Sequence, residues 1–240
     1  MKLLIALAFL SLNVANAKTT VVAVIDSGID GASPNHLCKH GHKSFSTRLT
    51  DPLKDEEGHG THIAGIISST AGDGDYCIVS IKYYDSKAQG KENGIAMIKS
   101  IQYAVNIKVD FINISGGGPE PSHKEYAAVL NALNKNIRMI VAAGNEHENL
   151  DNLCNYYPAC YDKRIVMVGN LQVNKDKFDD YDNNIVEPCP SSNYGKRVTR
   201  WEIGTDVLST LPGGKKGYMT GTSQATAVAT GLELREVLKK

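Results

Sequence analysis

Three short segments of this chain carry a carboxylate, an imidazole and a hydroxyl where each could take part in one reaction. Val21-Val22-Ala23-Val24-Ile25 leads directly into Asp26-Ser27-Gly28, so the carboxylate emerges at the end of what reads as a buried strand. Alone, an aspartate there serves equally well as a turn former, bonding nearby backbone through its side chain. Gly58-His59-Gly60-Thr61-His62-Ile63-Ala64-Gly65 opens a helical stretch with two histidines three residues apart on one face, flanked by small residues. Zinc-binding helices space their histidines four apart and add a glutamate, so a general base is the better reading than a metal pair. Met219-Thr220-Gly221-Thr222-Ser223-Gln224-Ala225-Thr226-Ala227 begins the last helix with a serine among small residues, a position that also suits a plain N-cap. Together the three mean more. A neutral hydroxyl attacks slowly unless a base takes its proton, and an imidazole of pKa about 6.5 needs a carboxylate to hold its tautomer. Asp26, His59 and Ser223 supply that set.

The elements that must position these groups are legible as alternating patterns. Nearly continuous apolar runs at 20–25, 78–84, 109–114, 137–142 and 165–168 read as parallel strands covered on both faces. Between them 59–69, 93–106 and 126–134 have helical periodicity. The alternation implies an α/β fold, a largely parallel sheet flanked by helices on both faces. In such sheets active groups gather beyond the carboxyl ends of the strands. No Pro/Gly/Ser linker or repeat divides the chain, so 18–240 reads as one domain. The stretch 170–200, with Asp176, Asp179, Asp180, Asp182, Asn183 and Asn184 among few apolar residues, reads as a solvated surface excursion; its acidic residues lack a glycine-punctuated calcium pattern.

With these residues in view, the chain resembles the subtilisin-like serine peptidases. Val-Ala-Val-Ile-Asp26-Ser-Gly-Ile-Asp, Gly-His59-Gly-Thr-His-Ile-Ala-Gly and Gly-Thr-Ser223 look like the family's three signature segments, in its order. Ile114-Ser115-Gly116-Gly117-Gly118-Pro119 resembles its substrate-binding strand, and Ala142-Ala143-Gly144-Asn145-Glu146 the segment whose asparagine serves the oxyanion hole. The resemblance implies a subtilisin-like fold and peptide-bond hydrolysis through an Asp26–His59–Ser223 triad, with Asn145 in the oxyanion hole. It further implies that Ser115, Gly116 and Gly117 face Ala142, Ala143 and Gly144 as two walls of the pocket for the side chain preceding the scissile bond. Glu146 would stand at the rim. If Tyr157-Pro158-Ala159 matches the family's Tyr-Pro-Gly, Tyr156 replaces a small residue near the pocket floor. Ala88-Gln89-Gly90 is expected to pair with the substrate as an edge strand.

Departures accompany the matches. Gln224-Ala225-Thr226-Ala227 stands where the family typically has Met-Ala-Ser/Ala-Pro, and 17 residues follow Ser223. Eight residues, Lys18 to Ile25, separate the proposed leader cleavage site from Asp26, which leads to the expectation of folding without a covalent pro-region. The helix after His59 passes quickly into the next strand, without the calcium loop many relatives insert there. No cofactor and no metal are expected; the partners are protein or peptide substrates, and the enzyme should be a monomer. The rival reading is a catalytically silent binding protein on the same scaffold, which would usually have lost a triad member or Asn145.

Composition narrows the classes further. The chain has 240 residues, 42% of them hydrophobic, enough for a substantial core without metals. Its 26 basic and 26 acidic side chains cancel, leaving no global field to gather nucleic acid or an anionic membrane. Lys2 followed by Leu3-Leu4-Ile5-Ala6-Leu7-Ala8-Phe9-Leu10, then Ala15-Asn16-Ala17, reads as a secretory signal peptide over residues 1–17, too short to anchor the mature protein in a membrane. The expected location is extracellular or periplasmic. All five cysteines, Cys38, Cys77, Cys154, Cys160 and Cys189, lie in the exported part, where two disulfides and one free thiol are the simplest outcome. Spacing leaves the pairing open, although Cys154 and Cys160 close a short loop and Cys77 is a candidate partner for Cys38. A metal site in His36-Leu37-Cys38-Lys39-His40-Gly41-His42 is the lesser reading beside solvated histidines around such a disulfide. A phosphate loop at Ser115-Gly116-Gly117-Gly118 lacks the Lys-Ser/Thr ending.

Overall fold

Apolar runs that need cover on both faces force a layered solution, and the computed structural model, which describes residues 18–31, 36–178 and 184–239, has one. The strands are β1 (Thr20–Asp26), β2 (Lys43–Ser44), β3 (Tyr76–Lys82), β4 (Phe111–Ile114), β5 (Arg138–Ala142), β6 (Val166–Phe178), β7 (Asn184–Pro188), β8 (Arg200–Ile203), β9 (Val207–Leu211) and β10 (Lys215–Met219). The helices are α1 (His59–Ala71), α2 (Gly90–Asn106), α3 (His123–Asn134) and α4 (Thr222–Leu238). The main sheet runs β2-β3-β1-β4-β5-β6-β7, with β8 also on β6. Its pairs are parallel except β6 with β7. β9 and β10 form a separate antiparallel hairpin.

Alternation along β1 divides the core in two. Ala23 and Ile25 face Met97, Ile101, Val129 and Leu133 of α2 and α3. Val22 and Val24 face Ile63, Ile66 and Ile67 of α1 and Ala225 and Ala229 of α4. Truncating one of these buried isoleucines to alanine costs about 2–5 kcal/mol, the lost transfer energy plus the cavity left behind. The sheet is thereby fixed from both sides, and its carboxyl edge is a rigid platform.

The proposed signal segment, residues 1–17, and Asp179, Asp180, Asp182 and Asn183 lie outside the described residues. Two expectations are corrected. Residues 170–200 are only in part a solvated excursion: the β6–β7 hairpin has no buried residue among those described from 171 to 188, but it is regular structure, and Asn170, Cys189, Ser192, Asn193 and Val198 are buried. Hydrogen bonds offset their polarity, Asn170 N donating to Ser192 Oγ (3.0 Å) and Asn170 Oδ1 accepting from Gly204 N (2.8 Å). Nor do Ala88-Gln89-Gly90 form an edge strand. Gln89 is the N-cap of α2, in a capping box with Glu92.

Cys38 bonds to Cys77 (S–S 2.03 Å) and Cys154 to Cys160, leaving Cys189 free and buried. The neighbouring histidines are engaged individually. His42 Nε2 donates to Cys38 O (2.8 Å), its Nδ1 accepts from Ser80 N (3.0 Å), and His36 stacks on Tyr76. Among the described residues no group of three or more His, Cys, Asp or Glu is placed to hold a metal ion, and no helix is long and apolar enough to cross a membrane.

Candidate active site

Asp26 ends β1 at the carboxyl edge of the sheet, and His59 is the first residue of α1. The His59 Nδ1–H donates to Asp26 Oδ1 at 2.8 Å. That bond fixes the tautomer with Nε2 as the free acceptor. The approach depends on a glycine. A methyl group built on Gly60 would lie 2.0 Å from Gly28 O and 3.2 Å from Asp26 Oδ1, so any side chain there would push α1 off β1. Burial alone would lower the His59 pKa; the adjacent Asp26 charge and hydrogen bond outweigh it and raise the value above 6.5.

Beneath this pair lies a polar network that motif reading missed. The buried Asp55 accepts from Ser27 Oγ (2.8 Å) and Gly58 N (2.9 Å) through Oδ1, and from Thr61 N (2.8 Å) and Thr61 Oγ1 (2.6 Å) through Oδ2. Ser27 Oγ in turn accepts from Gly60 N at 3.0 Å. The network therefore satisfies the unpaired amides at the start of α1 and ties them to the turn after Asp26. Lys82, fully buried beside Asp26 in the sheet register, donates to Lys54 O (2.8 Å) and pairs with Glu56, holding the segment that leads into His59. His62, also buried, faces β10 through Nε2 and Gly217 O (3.0 Å).

Ser223 sits in the first turn of α4, opposite. Its hydroxyl donates to Ser115 O at 2.8 Å and not to His59; a rotation about the Cα–Cβ bond is needed to turn it toward an acceptor elsewhere. Ser115 Oγ donates to Ser223 O (3.1 Å) and accepts from Asn113 Nδ2 (3.0 Å), while Asn113 Oδ1 accepts from Thr230 Oγ1 (2.8 Å). These bonds clamp α4 to the end of β4. The Asn145 side chain is oriented by Thr222 N, which donates to Oδ1 at 2.9 Å. Only the carbonyl oxygen can accept that bond, so Nδ2 is the outward donor. It joins the amides at the start of α4, where the helix dipole favours negative charge.

Of the expected pocket residues, Gly117, Gly144 and Tyr156 meet, whereas Gly116 faces the Tyr83 hydroxyl and Ala142 and Ala143 are buried. Methyl groups built on Gly117 and Gly144 would each lie 2.7 Å from the Tyr156 ring, at Cε1 and Cε2 respectively. The ring therefore lies between Gly117 and Gly144. Glu146 is exposed, and its Oε2 accepts from Asn193 Nδ2 at 2.7 Å. Asn193, missed from the sequence, is buried and organises this corner. Its Nδ2 also donates to Ala143 O (2.8 Å), and its Oδ1 accepts from Glu146 N (3.1 Å) and Glu148 N (2.8 Å). Burial pushes the Tyr156 phenol pKa up, and the Glu146 charge adds to the effect, so the phenol stays neutral. A cavity of about 430 Å³ near Arg138, Arg164 and Arg200 lies elsewhere. Its guanidinium groups are paired with Glu233, Asp162 and Glu202.

A parallel α/β sheet with an Asp–His pair and a helix-borne serine at its carboxyl edge is the architecture of a hydrolytic enzyme. Similarity to known proteins specifies which: the Subtilase family profile matches residues 17–233, and the chain belongs to that family. It is 34% identical over 229 residues to the "Major intracellular serine protease" of Bacillus subtilis (strain 168), covering 89% of this chain and 67% of that relative. To "Subtilisin" of Bacillus pumilus it is 33% identical over 217 residues, covering 88% and 74%. The fold agrees with a crystal structure of a cold adapted subtilisin-like serine proteinase, with TM-score 0.72 at 23% identity over 92% of this chain and 76% of that one. By family membership the chain is a subtilisin-like serine endopeptidase.

Proposed function

We propose that Asp26, His59 and Ser223 form the catalytic triad of an exported endopeptidase, with Asn145 and the Ser223 N–H as its oxyanion hole. The observation that carries this is the 2.8 Å His59–Asp26 bond beside a serine at a helix N-terminus, with Asn145 anchored on the next amide. Once the hydroxyl turns from Ser115 to His59 Nε2, the imidazole takes its proton as Oγ bonds to the scissile carbonyl carbon. Negative charge passes to the carbonyl oxygen, where Asn145 Nδ2 and the helix amides stabilise it. The C–N bond then breaks, His59 returns the proton to the leaving amine, and water hydrolyses the acyl-enzyme by the reverse sequence. Asp26 stays ionised throughout and stabilises the imidazolium.

Ser115–Gly117 and Ala142–Gly144 would bound the pocket for the side chain before the cut. With Tyr156 between the walls, large aromatic side chains are disfavoured, while a slender basic one can reach Glu146 at the rim. Export is supported by the leader-like residues 1–17 and by two disulfides, which persist in oxidising compartments. The mature enzyme acts as a monomer on proteins or peptides.

Treatment with a serine-directed fluorophosphonate tests the triad: one adduct on Ser223 is expected in intact mass, and none in Ser223→Ala. That variant should lose casein cleavage by about 10⁶-fold while keeping the fold. A folded wild-type protein that takes no adduct and cleaves nothing would instead be a silent binding protein.

A further inference from the structure

We propose that the Cys154–Cys160 disulfide is a specificity-determining element. By fastening the loop it closes, it keeps the Tyr156 ring between the pocket walls and so excludes aromatic side chains before the scissile bond. The inference rests on the peptidase reading above and goes beyond it, since a family pocket with a small residue at its floor would need no such fastening.

The bridge acts on Tyr156 directly. Tyr156 N donates to Cys160 Sγ at 3.4 Å, and Cys160 N donates back to Tyr156 O at 2.9 Å. Next along the chain, Tyr157 exchanges both backbone bonds with Gly118, at 2.8 and 2.9 Å, which ties the loop to the substrate-binding strand. Tyr161 closes the far end, its hydroxyl donating to the buried Glu125 (2.9 Å) at the start of α3. The near end has less to hold it. Leu153 is 69% exposed, and the buried side-chain oxygen of Asn155 has no partner among the described residues. At that end the covalent bond acts together with one hydrogen bond, the Tyr157 hydroxyl donating to Cys154 O at 3.2 Å, to restrain the backbone that aims the ring.

The ring has little slack where it sits, because Gly117 and Gly144 contribute no side chain and its edges reach both walls. An aromatic side chain of a substrate must therefore displace the ring, and with both edges against Gly117 and Gly144 the ring gains room most readily when the 154–160 backbone shifts with it. The disulfide opposes that movement. The second bridge, Cys38–Cys77, joins the segment before β2 to β3 and lies outside the pocket loop.

The test compares kcat/KM for matched peptides with Phe or Ala before the cut. Tyr156→Gly should raise the Phe/Ala ratio by about tenfold or more, the usual scale for gaining apolar room in a pocket. Cys154→Ser with Cys160→Ser should move the ratio the same way, and adding this pair to Tyr156→Gly should change it no further. A bridge that merely stabilised the fold would lower the melting temperature of the pair variant and leave its ratio at the wild-type value; that result, or an unchanged ratio in Tyr156→Gly, overturns the proposal. If the pair variant does not fold, folded wild-type protein is exposed to a dithiol and alkylated. The ratio is then read on molecules whose mass map shows Cys154 and Cys160 modified and Cys38–Cys77 intact, with the same two outcomes. Failure of the peptidase reading is distinct: wild-type protein would take no fluorophosphonate and cleave neither peptide.

Discussion

The two shoulders of the cleft are built on different physical principles. On the Asp26–His59 side, the polar groups beneath the pair are buried and, His62 Nδ1 apart, answered: Asp55 takes four donors, Ser27 links two backbones, and Lys82 is enclosed at 0% exposure. On the Asn145–Tyr156 side, Asn145, Glu146 and His147 are exposed above a single buried anchor, Asn193, and a short covalent loop from Cys154 to Cys160 carries Tyr156, the proposed pocket residue. The difference teaches where precision is needed. A proton must pass between atoms held to within about half an ångström, which rigid element ends and buried hydrogen bonds provide. A pocket needs only the right shape, so it is built on loops that can vary without disturbing the chemistry.

Breaking the comparison at its most sensitive point gives the largest effect. Asn145→Ala should lower kcat/KM by about 10²–10³-fold, the size of loss that removing the oxyanion asparagine causes in a subtilisin. Because the substitution also takes the acceptor from the buried Thr222 N–H, urea unfolding should show a loss of about 1 kcal/mol, far less than the loss in activity. The buried shoulder should respond the opposite way. Asp55→Ala leaves several buried donors unanswered and should cost about 3 kcal/mol in urea unfolding, whereas Glu146→Ala on the open shoulder, which removes one bond from Asn193, should cost about 1 kcal/mol. Equal losses from the two substitutions would erase the distinction.

The smallest effect sharpens it further. The raised His59 pKa means that the imidazole remains protonated, and unable to accept the serine proton, to a pH above 6.5. The acid limb of the kcat/KM profile should therefore lie above that value, and Asp26→Asn, which removes the raising charge, should move what activity remains toward lower pH. By linkage the same shift stabilises the fold fully below the unfolded pKa and fades as pH rises through the folded one. A limb that stays in place in Asp26→Asn would place its origin in another group.

Sequence legibility follows burial. β1, β3, β4 and β5 are readable because strands covered on both faces become continuous apolar runs, and α1 to α3 because their inner faces recur at helical spacing. The region from 170 to 219 is not. Its strands are partly exposed, with burial alternating along β7, and its interior is filled by Asn170, Ser192 and Asn193, polar residues whose burial no composition signal announces. The same reason hides Asp55: an aspartate three residues before a glycine looks like a loop residue until its four donors are placed around it. Ala88-Gln89-Gly90 misleads for a different reason, since the Gln-x-x-Glu capping box at Gln89 and Glu92 marks a helix start and not a strand.

By itself the sequence determined the fold class and the family, and it nominated the proposed reactive groups, since those follow from residue types in order along short local segments. Only the tertiary structure decided how the groups meet. It set the His59 tautomer through Asp26, turned the Ser223 hydroxyl toward Ser115, chose Cys77 for Cys38, and placed Tyr156 between Gly117 and Gly144. Each of these is a contact between residues far apart in the chain, and its geometry depends on how two packed helical layers seat themselves on one sheet.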